Sequence, residues 1–229
     1  MEEGKIILGI DDAGRGPVIG PMILAGCLIT TETERELKRL GVKDSKQLTK
    51  KRRAFLEAII KEKAEAFSVQ AKFPEEIDGK GSSGTNLNDL EAEMAAKIIN
   101  EINTPEKNNG TKIKVVIDCP STNRTRWRET VQTQIENLSN LEIFCEHKAD
   151  VNHVAVSAAS ILAKEERERE MDILREKYGD HIGSGYSSDP RTAKFLQKNI
   201  KKLEHKGIFR KSWKTWKKAS HDSGQRKLF

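Results

Sequence analysis

Apolar residues along the chain cluster in short runs set between charged, helix-like stretches. Residues 5–11 and 21–30 are nearly continuous apolar runs of strand length, joined by a short Gly/Pro segment as a hairpin would be. From 31 to 66 the pattern is charged and helical, broken at Lys43-Asp44-Ser45-Lys46, with Thr49 placed to cap the second part. Residues 67–73 alternate apolar and polar as a third strand, and a Gly/Ser loop at 79–85 leads into an amphipathic helix over 87–101. Residues 112–118 form another apolar run ending in an acid, followed by a polar helix over 123–138 and a fifth strand at 141–145. A long helix rich in alanine and charge covers 151–178, the segment 183–190 is a loop, and helices run from there to the C-terminus. Three early strands followed by β–α alternation predict an α/β fold: a mixed five-stranded sheet flanked by helices, with a small helical C-terminal region.

Ligand sites of such sheets lie beyond the carboxyl ends of the strands. Asp11 closes the first apolar run, Asp118 the fourth, and Asp150 follows just past the fifth in His147-Lys148-Ala149-Asp150. Asp12 is next to Asp11, and Gly14-Arg15-Gly16-Pro17 comes immediately after. Neighbouring strand residues point to opposite faces, so a bend supplied by the glycines is expected to bring Asp11 and Asp12 to one ion. Glycines there also let backbone N–H groups approach an anion. Acids converging on one edge supply the oxygen ligands that divalent cations require. Without metal they repel and raise one another's pKa. Solvated turn acids are the alternative for Asp11 and Asp12, and strand or helix caps for Asp118 and Asp150.

Charge placement narrows the class of partner. The net charge is +6, yet from residue 201 to 229 ten Lys or Arg face only Glu204 and Asp222, so this segment carries +8 and the remainder −2. A basic lobe beside an acid-containing body suits a polyanion held by one part and processed by the other. Trp213 and Trp216, at i and i+3, are expected to share a helix face. Three cysteines, Cys27, Cys119 and Cys145, lack CxxC spacing and fit a reduced cytoplasm. The apolar stretch at 17–30 is too short and too interrupted to span a bilayer. A zinc site at Cys119, Cys145 and His147 is a minor alternative, and the absence of GxxxxGK[ST] gives nucleotide hydrolysis no support.

Together Gly9-Ile10-Asp11-Asp12-Ala13-Gly14-Arg15-Gly16-Pro17, Asp118, His147-Lys148-Ala149-Asp150, Val156-Ser157-Ala158-Ala159-Ser160 and Gly183-Ser184-Gly185-Tyr186-Ser187-Ser188-Asp189-Pro190 resemble ribonuclease HII, most like its archaeal members. The resemblance runs in order from residue 5 to about 218. It implies an RNase H-like fold and endonucleolytic cleavage of RNA paired with DNA, including a single ribonucleotide embedded in duplex DNA, giving a 3′-hydroxyl and a 5′-phosphate. By position, Asp11, Asp12, Asp118 and Asp150 match the four acids that hold two divalent ions, Mg2+ or Mn2+. Gly14, Arg15 and Gly16 match the element that contacts the backbone around the ribose 2′-hydroxyl. Tyr186 matches the tyrosine that stacks at the RNA-to-DNA junction, and Lys46 is placed to meet a phosphate. Two positions depart from the pattern: Asp12 stands where glutamate is usual, and Ser187 where proline is usual, which predicts a less rigid loop.

This organisation puts an RNase H-like catalytic domain in 1–185, a basic helical substrate-binding region in 186–222 and a flexible tail in 223–229, in a monomeric cytoplasmic protein. Gln225, Leu228 and Phe229 in the tail resemble a truncated sliding-clamp-binding peptide. The rivals are a branched-DNA nuclease of the same fold and a non-enzymatic RNA-binding module.

Overall fold

Both faces of the first two strands are covered, which is why they read as unbroken apolar runs. The computed structural model describes residues 6–42, 48–82, 86–104 and 110–225, with the backbone alone at 80–82 and 222–225. Strands β1 (Ile6–Ala13) and β2 (Met22–Thr30) pair antiparallel from Ile6↔Thr30 to Ala13↔Ile23. Every residue of β2 but the last is buried, as in a strand held between two helical layers. Strand β3 (Ala66–Lys72) lies beside β2. On the other side, β4 (Ile113–Asp118) runs parallel to β1 from Ile6↔Ile113 to Ile10↔Ile117, and β5 (Leu141–Glu146) runs parallel to β4. The strands form the mixed five-stranded sheet that the pattern predicts, in the order β3-β2-β1-β4-β5.

Local chemistry sets the helix boundaries. In α1 (Thr31–Arg39) the capping Thr30 hydroxyl accepts from the Thr33 N–H, and in α2 (Lys50–Lys63) the expected cap, Thr49, accepts from Arg52. Helix α3 (Pro74–Ser82) takes up the start of the expected Gly/Ser loop, and its first turn is closed by the Glu76 carboxylate, which accepts the Phe73 N–H. Helix α4 (Leu87–Ile102) covers β2 closely: a Cβ added at Gly26 would lie 2.3 Å from Ile98 Cγ2. Helix α5 (Arg124–Gln132) is shorter than expected and ends where the Thr133 N–H turns back to the Glu129 carbonyl. The helix expected over 151–178 is two helices, α6 (Ala149–Asn152) and α7 (Val154–Tyr178). They are separated by extended His153 and preceded by Lys148 in the left-handed region at φ 57°.

The chain forms two compact units. The first comprises Met1–Ala13, Ile23–Gln70 and Asn88–Glu165 and carries the sheet. Its buried residues include Leu8 and Ile10 of β1 together with Leu56, Ile60, Leu90 and Met94. The second comprises Gly14–Met22, Ala71–Leu87 and Glu166–Phe229. It is built on α8 (Pro190–Leu203) and α9 (Lys214–Gln225) around Ile19, Met171, Phe195, Phe209 and Trp216. Phe209 and Trp216 stack with centroids 4.7 Å apart. Helix α9 begins at Lys214, so Trp213 precedes it rather than lying on it, yet both tryptophans meet one core: Trp216 is buried within it and Trp213 packs against it.

Candidate active site

In the first unit, Asp11, Asp12 and Asp118 line one narrow cleft with Glu91, Pro120 and Trp127. The bend expected between the two neighbouring aspartates is absent: β1 stays extended through Ala13, and both residues nevertheless border the cleft. The pairing of β1 with β4 ends at Ile10, whereas its pairing with β2 continues, opposite Ala25 for Asp11 and Leu24 for Asp12. The parallel side of β1 is therefore open where the acids begin. Asp11 is only 5% exposed, and its carboxylate accepts the Asp12 N–H at 2.8 Å. Burial first, and then the Asp12 and Asp118 charges, push its carboxyl well above the usual carboxylate range against an opposing hydrogen bond from Ser160.

Asp118 ends β4, and its carboxylate accepts the Ala149 N–H of α6 at 3.1 Å. That contact ties the segment carrying Asp150 to the cleft. Asp150 itself is 1% exposed and is not among the residues lining the cleft; its carbonyl accepts from the Ser157 hydroxyl of α7. Hard carboxylate oxygens held at the cost of mutual repulsion are the donor set a divalent cation satisfies. Among the described residues no three His, Cys, Asp or Glu side chains are gathered into a metal site; Asp11, Asp12 and Asp118 share the cleft without forming a closed one. The zinc alternative has no such site either: the His147 ring meets the Cys119 carbonyl at 3.0 Å, and the cysteines are free thiols.

In the second unit the loop carrying Tyr186 is tied at several points, although it lacks the usual proline at Ser187. Asp189 accepts the Ser184 N–H at 2.9 Å and caps α8 through the Arg191 N–H. Mainly the Ser184 N–H, with Arg191 beside it, holds this carboxyl well below the ordinary range. Thr192 accepts the Gly185 N–H and donates to the Ile182 carbonyl. Tyr186 is 40% exposed, with the Arg167 guanidinium 5.3 Å from its ring centre. Arg167 also donates to the Ser184 carbonyl at 3.1 Å and fills the space where a Cβ on Gly14 would stand. In the Gly14–Gly16 turn, Gly14 has φ +82° and Gly16 is exposed. Between α8 and α9 a groove of about 610 Å³ has Leu196, Ile200 and Ala219 in its lining and Lys198, Lys201, Lys214 and Lys218 around it.

Lys46, Leu228, Phe229 and the side chain of Gln225 lie outside the described residues. Sequence reading missed Glu91, Arg167 and Arg210. Glu91 interrupts the apolar stripe of Leu90, Met94 and Ile98 on α4, a signal that was readable; the two arginines serve backbone carbonyls and leave no pattern.

The ribonuclease HII family model matches residues 8–216. The ribonuclease HII of Methanocaldococcus jannaschii is 43% identical over 231 residues, spanning 97% of this chain and 98% of that protein. Among solved structures, ribonuclease H2 from Pyrococcus horikoshii OT3 superposes with TM-score 0.81 at 33% identity, covering 98% of this chain and 100% of that one. The RNase HII of the PCNA:RNase HII complex from Archaeoglobus fulgidus gives TM-score 0.78 at 36% identity, covering 91% and 95%. A mixed sheet of this order, superposed on solved ribonuclease H structures over nearly the whole chain, defines a nuclease with the RNase H-like fold. Agreement with these relatives extends along nearly the whole chain. The chain belongs to the ribonuclease HII family, endoribonucleases that act on the RNA of RNA–DNA hybrids. Among the described residues no helix is long and apolar enough to cross a membrane.

Proposed function

We propose that this enzyme cleaves within RNA–DNA hybrids and also nicks on the 5′ side of a single ribonucleotide embedded in duplex DNA. The observation that carries this reading is the meeting of Asp11, Asp12 and Asp118 in one cleft, with Asp11 buried against two like charges. Asp11, Asp12, Asp118 and Asp150 would hold two divalent ions, Mg2+ or Mn2+. Such ions supply a Lewis acid for the phosphate and activate water for in-line displacement. A water oxygen bonds to phosphorus, the P–O3′ bond breaks, and the departing O3′ takes up a proton, leaving a 3′-hydroxyl and a 5′-phosphate. The protein's own part is to place the backbone. Only the 2′-hydroxyl distinguishes RNA from DNA at one nucleotide, and the Gly14-Arg15-Gly16 turn offers small, directional backbone donors to read it. Tyr186 presents a flat ring for stacking, and Lys46 meets a phosphate.

In this reading residues 1–185 perform the chemistry and the basic helices of 186–222 hold the duplex. The four lysines around the α8–α9 groove support that division, since each phosphate neutralised adds about 0.9 to the salt slope of binding. The free thiols suit a reducing cytoplasm. The decisive test is duplex DNA carrying one ribonucleotide, with and without Mg2+ or Mn2+. Metal-dependent nicking 5′ of the ribonucleotide, with the all-DNA duplex left intact, is expected; equal cutting of both duplexes refutes it.

A second reading concerns the tail. A structural relative is solved with PCNA, which supports a sliding clamp as partner, engaged here by Gln225, Leu228 and Phe229. Titrating an archaeal clamp against the full chain and a version ending at Gly224 checks this. Loss of binding on truncation is expected, and equal affinity of the two forms refutes it.

A further inference from the structure

Among the described residues Arg210 is the largest fully buried side chain that carries a charge, at 0% exposure, and it serves the backbone of one loop. Its Nη2 donates to the Gly14 carbonyl at 2.6 Å and to the Gly20 carbonyl at 2.9 Å, its Nη1 to the Arg15 carbonyl at 2.8 Å, and its Nε to the Gly20 carbonyl at 3.1 Å. Its own N–H donates to the Val18 carbonyl at 2.9 Å. The guanidinium rests 5.0 Å from the Trp213 ring centre, and the Trp213 indole N–H donates to the Gly16 carbonyl at 3.1 Å. The carbonyls of Gly14, Arg15 and Gly16 are thus all drawn to one side by two residues about 200 positions away in sequence.

A trans peptide is planar, with its C=O and the following N–H pointing in opposite directions. Fixing the Gly14 and Arg15 carbonyls toward Arg210 therefore aims the N–H groups of Arg15 and Gly16 away from it, as an adjacent pair. The next peptide has no N–H, because residue 17 is proline. Burying a guanidinium costs several kcal/mol, far more than closing a turn requires. Its planar fork of donors holds several carbonyls in one fixed arrangement, which a lysine cannot do.

We propose that Arg210, seated on Trp213, is a positioning residue that sets the register in which the Gly14-Arg15-Gly16 turn reads a ribose 2′-hydroxyl. The inference rests on the proposed role of that turn. A lone ribonucleotide presents one 2′-hydroxyl at one place, whereas a continuous hybrid offers one at every step. Accuracy of the turn therefore matters more for the lone ribonucleotide.

Arg210→Lys and Trp213→Phe test it. The lysine keeps the charge and loses the fork; the phenylalanine keeps a ring under the guanidinium and loses the indole donor. Two measurements are made on each full-length variant: amide hydrogen exchange across residues 14–20, with β1 and β4 as internal reference, and kcat/KM on single-ribonucleotide duplex and on continuous RNA–DNA hybrid. For Arg210→Lys, exchange at 14–20 is expected to rise while the strands hold. The kcat/KM for the single ribonucleotide should fall by about a hundredfold, the scale of a misplacement near 1 Å, and that for the hybrid far less. Trp213→Phe should shift the same ratio in the same direction and by a smaller factor, and it decides the matter if Arg210→Lys does not fold. Equal losses on both substrates, or unchanged exchange at 14–20, overturn the proposal. If the wild type cuts hybrid but leaves the lone ribonucleotide intact, the proposed reading of the 2′-hydroxyl fails, and the exchange result alone then decides whether Arg210 sets the turn.

Discussion

Replacing Gly9 with alanine probes the packing that brings the acids together. Gly9 lies in β1, two residues before Asp11, and an added Cβ would stand 2.1 Å from the Ala155 carbonyl carbon and 2.2 Å from the Val156 nitrogen. Both obstacles are backbone of α7, so no side chain can swing clear. Strand and helix must part by roughly 1 Å or more to restore ordinary contact. Overpacking of this kind costs about 1–3 kcal/mol, offset by about 0.4–1 kcal/mol from the stiffer unfolded chain. A net loss of about 1–2 kcal/mol corresponds to a fall in Tm of about 2–8 °C for a chain of this size. The same displacement acts on α6, which precedes α7 and carries Asp150, and a shift of about 1 Å in a positioned group costs up to about a hundredfold in rate. Thermal melting followed by circular dichroism, and nicking of a ribonucleotide-containing duplex below the melting range, measure the two effects. A Gly9→Ala protein with wild-type Tm and rate would refute the close packing of β1 on α7; a lowered Tm with full activity would show that the shift stops short of Asp150.

Asp118→Asn should nearly abolish turnover while leaving hybrid binding within a few-fold by fluorescence anisotropy; retained activity at saturating metal removes Asp118 from the proposed ligand set. Asp12→Glu, one methylene longer, is expected to keep activity and to raise the Mg2+ rate relative to Mn2+, and loss of activity would show a cleft built around aspartate. Tyr186→Ala should lose about 1–3 kcal/mol of substrate interaction while Tyr186→Phe keeps it; identical losses in KM and kcat would assign the effect to the hydroxyl. For Asp189 the folded pKa lies below the unfolded value near ~3.9, so its stabilisation is full above that value and disappears as the pH falls through the folded pKa. Wild type should therefore melt above Asp189→Asn at neutral pH, and the gap should close in acid; a gap independent of pH would contradict the assignment.

The number and positions of the strands were legible because β1, β2 and β4 are buried on both faces and stand out as apolar runs between charged helices; their order in the sheet was not. Asp11, Asp12, Asp118 and Asp150 were legible as motif positions, and three of them line one cleft. Less visible was anything decided by backbone geometry. The short helix α6 is bounded by a left-handed Lys148 and an extended His153; the first conformation is usually marked by glycine or asparagine and neither residue breaks a helical pattern, so the sequence there still reads as continuous helix. Arg167 and Arg210 contact peptide carbonyls, and every residue has one. Trp213 and Trp216 have helical spacing, yet the helix starts between them.

The parallel pairing of β1 with β4 also dictates when the enzyme can come into being. β2 is available to β1 almost as soon as both have been synthesised, but Ile6 must wait for Ile113, about a hundred residues later, and long-range closure of this kind is slow. At about 5–20 residues per second the first strand spends roughly 5–20 s with one edge unfilled while the ribosome completes the distance. Asp118 and Asp150 emerge later still. With the proposed ligand set, a nascent chain stays incompetent toward any hybrid near the site of synthesis until Asp150 has left the exit tunnel, and a message truncated before residue 150 yields a polypeptide with Asp11 and Asp12 but not the full proposed set of carboxylates.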